Sequence, residues 1–185
     1  TGTGTGTVNI SGSGNITVNG IGTSSIYYNP SSYIAPADYG INGTGYMLIN
    51  NVTNLQAIST NTSGNFALGK DINADSVTFT PITTFSGTLD GLGQKINGLR
   101  ISTTGNAGMF TTIASTGTVK NLGLENVNIV VTSAGSVGSL ASSNDGTIKN
   151  VYSTGTVSGT GSPGTAATYN GGFSGTGGTS NVGGL

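Results

Sequence analysis

Gly-Thr-Val-Lys-Asn-Leu at 117–122 returns as Gly-Thr-Ile-Lys-Asn-Val at 146–151, and no other feature limits the fold as tightly. An offset of 29 residues falls in the range that marks solenoids and propellers. A fainter echo lies upstream in Ile96-Asn-Gly-Leu99, which sets Ile96 against Val119 and Ile148, and Leu99 against Leu122 and Val151. Apolar residues three apart cannot both face inward on a straight strand, because side chains alternate faces. A corner between them removes the conflict. Asn121 and Asn150 stand where that corner belongs, and Asn tolerates the left-handed backbone region and stacks on copies of itself.

Gly, Thr, Ser and Asn make up more than half of the 185 residues, and only 6% are charged. Disorder goes with high charge and few β-branched residues. Here Val, Ile and Thr recur in short alternating runs, which is strand chemistry. A net charge of −1 with five basic residues gives no electrostatic footprint for nucleic acid or anionic lipid. No run of 18 apolar residues argues for membrane insertion. Cys and His are both absent, which removes disulfides, thiolate metal sites and the commonest general base. No cofactor is implied.

Residues 1–26 alternate at Val8, Ile10, Ile16 and Val18 and read as two short strands. Residues 27–45, with Tyr27, Tyr28, Tyr33, Tyr39, Pro30 and Pro36, read as a surface loop. Its tyrosines are either a ligand-contacting surface, with Tyr27, Tyr28 and Tyr33 as the contact residues, or rings that cover an apolar flank. One helix is predicted near 51–58: Asn51 as N-cap, with Val52, Leu55 and Ile58 on one face. Laid across the end of a strand stack, it would hide unpaired edges. Strands follow at 66–68, 72, 77–79 and 82–85, then near 95–101, 118–124, 127–131, 147–152 and 155–158.

This pattern predicts an all-β chain, a parallel β-helix of some seven or eight coils. At about 4.8 Å per coil that makes a rod of roughly 35–40 Å. A propeller would need blades of about 40–50 residues with four antiparallel strands, and no such period occurs.

The stretch Val137–Val157 resembles the GLUG repeat of large bacterial exoproteins. Phe85–Leu99 resembles the segment that precedes those repeats, and Tyr46–Ile58 with Gly64–Ile72 resembles the start of the same module. Over residues 27–185 the chain is similar to filamentous haemagglutinin-like exoproteins exported by two-partner secretion. The resemblance implies a right-handed parallel β-helix in a secreted or surface-held fibrous adhesin. It also implies an outer-membrane transporter as partner through a region outside this chain. Family members often carry an inserted loop after the Asp-Ile segment; here Asp71-Ile-Asn-Ala-Asp75 runs directly to Val77. The expected organisation is leading coils and a Tyr/Pro-rich loop over 1–45. A GLUG-type module follows over 46–185, within one continuous solenoid. Gly183-Gly-Leu185 resembles Gly138-Ser-Leu140, so a further coil is expected beyond it.

Little catalytic chemistry is legible. Asp71-x-Asn73-x-Asp75 imitates the opening of a calcium loop, but Ser76 and Ile82 stand where that loop needs Gly and Glu. The acids Asp38, Asp71, Asp75, Asp90, Glu125 and Asp145 form no obvious catalytic pair, and Asp90-Gly and Asp145-Gly read as turns. Lys120 and Lys149 take equivalent repeat positions on one face, either to attract an acidic glycan or, as the favoured reading, as solvated residues that discourage lateral pairing. Thr-x-Thr runs at irregular spacing read as outward strand positions. Asn15, Asn42, Asn51 and Asn61 open glycosylation sequons of the kind a chain rich in Asn and Thr produces by chance.

The expectation is therefore a structural and adhesive shaft rather than an enzyme, with no catalytic, cofactor or metal residues. Its partners would be surface glycans or proteins, and lateral or end-to-end self-association is compatible with such a rod. The alternatives are a polysaccharide-binding or polysaccharide-cleaving β-helix, and a passive shaft presenting a distal toxin or binding module.

Overall fold

The computed structural model of the protein describes residues 24–29, 43–133, 135–159 and 182–183. They build a parallel β-solenoid of about three turns with one short helix. Strands β1 (Ser24–Tyr28) and β2 (Gly43–Ile49) lead, paired in parallel. The chain then forms α1 (Val52–Ala57) and a 3-10 turn (Ile58–Thr60). The first coil holds β3 (Asn65–Leu68), β4 (Ile72–Asn73) and β5 (Ile82–Phe85). The second holds β6 (Thr88–Asp90), β7 (Lys95–Asn97), β8 (Arg100–Thr103) and β9 (Phe110–Ile113). The third holds β10 (Thr118–Val131), β11 (Val137–Gly138) and β12 (Ala141–Asn144). Above it lie β13 (Thr147–Gly159), stacked on β10, and β14 (Val182–Gly183), stacked on β11.

In-register stacking places like on like. Met47, Phe66, Leu89, Val119 and Ile148 form one inward column. Ile72, Ile96 and Leu124 form a second, and Ile101, Ile129 and Val157 a third. Ile82, Phe110 and Ala141 form a fourth, with the Phe85 and Phe110 rings stacked at 4.6 Å. All of these except Ile148 are buried. Each large aliphatic side chain so buried contributes about 1.5–3 kcal/mol, and the columns join into one core.

The corners make the columns possible. β10 is a single 14-residue strand that turns at Asn121 (φ 53°) and Asn126 (φ 52°), and Asn150 (φ 54°) repeats the first corner in β13. A left-handed residue breaks the alternation of faces, so Val119 and Leu122 are both buried. Side chains tie the first corner from coil to coil. Asn121 Nδ2 donates to Asp90 Oδ1 at 3.1 Å, and Asn150 Nδ2 donates to Asn121 Oδ1 at 3.1 Å. At the second corner Asn126 Nδ2 donates to Asn97 Oδ1 at 2.7 Å.

Helix α1 forms as its sequence predicts. The Asn51 side chain accepts the Asn54 amide at 2.8 Å, and Leu55 and Ile58 are fully buried. Its closing of the stack is more specific than the sequence suggests. Gln56 Nε2 donates to the Thr80 carbonyl at 3.0 Å, and the Thr80 amide donates to Gln56 Oε1 at 2.9 Å. One side-chain amide thus stands in for a neighbouring strand and satisfies an edge residue in both directions.

Three expectations change. Ile96 stands opposite Leu124, not Val119, whose partner one coil back is Leu89. Both corners carry the same apolar–polar–left-handed–apolar pattern, so Ile96-Asn-Gly-Leu99 belongs with Leu124-Glu-Asn-Val127. Gly98 (φ 73°) takes the place of Asn126. Second, Tyr27, Tyr28 and residues 43–45 lie in strands rather than in a loop, because β1 pairs residue for residue with β2. Third, the described residues make about three turns rather than seven or eight. On the leading level α1 replaces the strands of the remaining faces, and the coils lengthen from 23 residues (Phe66 to Leu89) to 30 (Leu89 to Val119). The strands expected near Val8–Val18 lie outside the described residues. No helix among the described residues is long and apolar enough to cross a membrane.

The first corner supplies a test. Asn121→Ala loses the ladder bonds and keeps an unfavourable φ, for about 2–3 kcal/mol in all. Asn121→Gly loses the same bonds but relaxes the backbone, so chemical denaturation should place Gly between Ala and the parent. Equal losses for the two variants would refute the left-handed corner.

Candidate functional site

Two outward faces carry the side chains with chemistry. On the first, set by β1, β2, β3, β6 and the start of β10, Tyr27 lies opposite Tyr46. Their rings sit 5.3 Å apart and tilted by 36°. Tyr27 is 41% exposed and Tyr46 only 8%, so one ring is packed beneath and the other is offered to solvent. Burial pushes the Tyr46 phenol above its ordinary pKa, with the Lys120 ammonium opposing. Of the tyrosines expected to contact a ligand, Tyr27 is therefore placed in an aromatic pair. Tyr28 pairs through its backbone with Met47, and Tyr33 lies outside the described residues. Nothing local in the sequence marks Tyr46 for this role, although its 19-residue distance from Tyr27 equals the β2-to-β3 step of the same sheet.

Farther along that face Lys120 Nζ reaches Asp90 Oδ2 at 3.2 Å. Lys120 does lie opposite Lys149, as the repeat predicts. It is an ion-pair partner rather than a freely solvated residue, and the bond to Asp90 raises its pKa. Asp90 is buried and also accepts the Leu92 amide and Asn121. It is a cross-coil anchor as well as a turn former.

On the second face, set by β4, β7 and the middle of β10 and β13, Lys95, Gly123 and Tyr152 stand in register. Glu125 joins them: Lys95 Nζ lies 2.9 Å from Glu125 Oε2, and Tyr152 Oη donates to Glu125 Oε1 at 2.8 Å. Lys95 and then Tyr152 hold the Glu125 carboxyl below its ordinary range. Conversely, Glu125 raises both Lys95 and Tyr152. Asp71 Oδ1 accepts the Lys95 amide at 2.9 Å, while Asn73 Oδ1 accepts the Asp75 amide. Two oxygens of the calcium-like run thus accept backbone amides, and no group of three or more His, Cys, Asp or Glu placed to hold a metal ion occurs among the described residues. A shallow groove also runs beside α1, lined by Val52, Gln56, Val77 and Thr80.

Residues 40–155 match the family model of the M26 IgA1-specific metallo-endopeptidase N-terminal region. The chain belongs to that family. The matched span runs from just before β2 into β13 and so takes in the helix and the three coils. The chain is also 35% identical over 130 residues to halomucin of Haloquadratum walsbyi (strain DSM 16790 / HBSQ001). The alignment covers 60% of this chain and 1% of halomucin. No solved structure matches the chain. The family is named for an N-terminal region of a peptidase, and this chain has no His. It therefore holds no H-E-x-x-H zinc motif.

The sign of the Glu125 linkage follows from its lowered pKa. Its contribution to stability is present above the unfolded carboxyl value of about 4.3 and is lost as pH falls through the folded one. Glu125→Gln should lower the thermal midpoint at neutral pH, and the gap to the parent should close on acidification below about pH 4. A gap independent of pH would contradict the pairing. At the alkaline end, the raised Lys95 and Tyr152 contribute below about pH 10 and lose that contribution as pH rises through their folded values.

Proposed function

We propose that this chain is a shaft segment of a large exported, surface-held fibrous protein. Its first outward face contributes to attachment to surface glycans or proteins. The solenoid itself supports the structural half of this reading: apolar columns and ladders run from coil to coil, and the exterior is dominated by short polar side chains. The halomucin match, to a protein in which the aligned stretch is about one hundredth of the whole, supports a segment repeated or embedded in a very long chain. The filamentous haemagglutinin-like resemblance adds secretion through an outer-membrane partner. The single observation that carries attachment is the Tyr27–Tyr46 pair, in which a ring 41% exposed lies against one that is 8% exposed. A rigid, amphipathic ring held in place costs little entropy on binding.

A passive spacer is the second reading. It is favoured by the ion pairs, which consume Lys120 and Lys95 within the fold.

A screen of the purified chain against host and microbial glycans and matrix proteins separates the two. Saturable binding to one class, weakened about tenfold or more in Tyr27→Ala with an unchanged melting curve, is the expected result. Absence of binding across the screen would leave the spacer.

A further inference from the structure

We propose that the second face carries a saccharide-binding platform built on Tyr152, distinct from the Tyr27–Tyr46 pair and independent of the attachment reading. Tyr152 is 50% exposed, the highest value among the exposed large hydrophobics of the described residues. Its ring lies across Gly123, the residue opposite it on β10. A Cβ on Gly123 would come within 2.6 Å of the ring's Cζ and Oη atoms. The absence of that Cβ lets the ring lie against the backbone with its other face toward solvent. The hydroxyl is pinned by Glu125, which is pinned in turn by Lys95. The platform is therefore oriented before any ligand arrives, and little side-chain freedom remains to be lost.

The chemistry around the ring selects the ligand class. An aromatic face attracts the C–H face of a pyranose, while the edges of that sugar need donors and acceptors. Lys95 lies next along the column, with ammonium protons beyond the one directed at Glu125. Asn97, opposite Glu125 on β7, spends its Oδ1 on Asn126 and keeps its amide protons. The ammonium is already neutralised, and Glu125 and Asp71 stand nearby. An anionic sugar would find the Lys95 ammonium already engaged by Glu125 and would face the Asp71 carboxylate, so the fitted ligand is an uncharged hexopyranose chain.

Titration of the labelled chain with cellohexaose, chitohexaose and a hexameric uronate, followed by amide and ring NMR shifts, tests this. The expected result is binding of a neutral hexamer with shifts centred on Tyr152, Gly123 and Lys95, and weaker or no binding of the uronate. Tyr152→Leu, which keeps Gly123 covered without an aromatic face, should reduce affinity about tenfold with an unchanged melting curve. Tyr152→Phe should retain most of the affinity, and Tyr27→Ala should leave it unaltered. The proposal is overturned if no neutral hexamer binds up to its solubility limit, if the uronate binds as well as the neutral hexamers, or if Tyr152→Leu binds like the parent. Because Tyr27→Ala is silent here, failure of this site and failure of the attachment reading remain separate results.

Discussion

The first corner ladder is the interaction on which the solenoid depends. Asp90 accepts from three donors, the Leu92 amide, Asn121 Nδ2 and Lys120 Nζ. Because it occupies the acceptor end, Asn121 must present its amide nitrogen to it and its oxygen to the next coil, where Asn150 donates. The direction of the ladder is thus set by a single carboxylate at its base. This matters because a left-handed residue in mid-strand is unfavourable by about 1–2 kcal/mol for a residue with a Cβ. Side-chain bonds made only at the stacked corner offset that cost, and with them the strand can turn while keeping Val119 and Leu122 inside.

The parts of this fold that were legible in sequence are those whose determinants lie within one coil or recur at constant spacing. The 29-residue repeat gave the pairing of Thr118–Lys120 with Thr147–Lys149 directly. Asn51 followed by apolar residues at helical spacing gave α1, and the likeness of Gly183 to Gly138 appears as their pairing in the structure. Misreadings arose where coil length varies. Between β6 and β7 the corner is longer than the one at Asn121, so sequence spacing alone sets Ile96 on the wrong face. Gln56 and Thr80 are 24 residues apart, and nothing local marks a glutamine as the partner of a strand edge. An Asp-Gly pair explains itself as a turn, whereas the bonds of Asp90 to Lys120 and Asn121 depend on a register visible only after stacking.

The candidate sites follow the same division. Tyr27 stood out by composition, yet its buried partner Tyr46 became visible only through the pairing of β1 with β2. Tyr152 drew no notice in sequence, since a lone aromatic in a Thr- and Ser-rich strand is ordinary. What distinguishes it is the glycine opposite and the carboxylate one column away, and both are properties of the stack.

The columns also show how stability is distributed along such a molecule. Val119 and Leu122 are buried, whereas their repeat partners Ile148 and Val151 are only partly so. Among the described residues β13 pairs on one side only, with β10. A coil therefore receives part of its burial from each neighbour, as expected where stability is a sum of interfaces between adjacent repeats. Ser153 marks the same change chemically. It continues the column of Ile72, Ile96 and Leu124, and its Oγ is buried with no hydrogen-bond partner. A hydroxyl in that place gives up the burial an aliphatic side chain would supply and leaves a polar group unsatisfied, a cost of about 1–3 kcal/mol. Among the described residues the fourth level therefore has less burial and one unsatisfied hydroxyl compared with the coils beneath it, and it is the level that presents Tyr152.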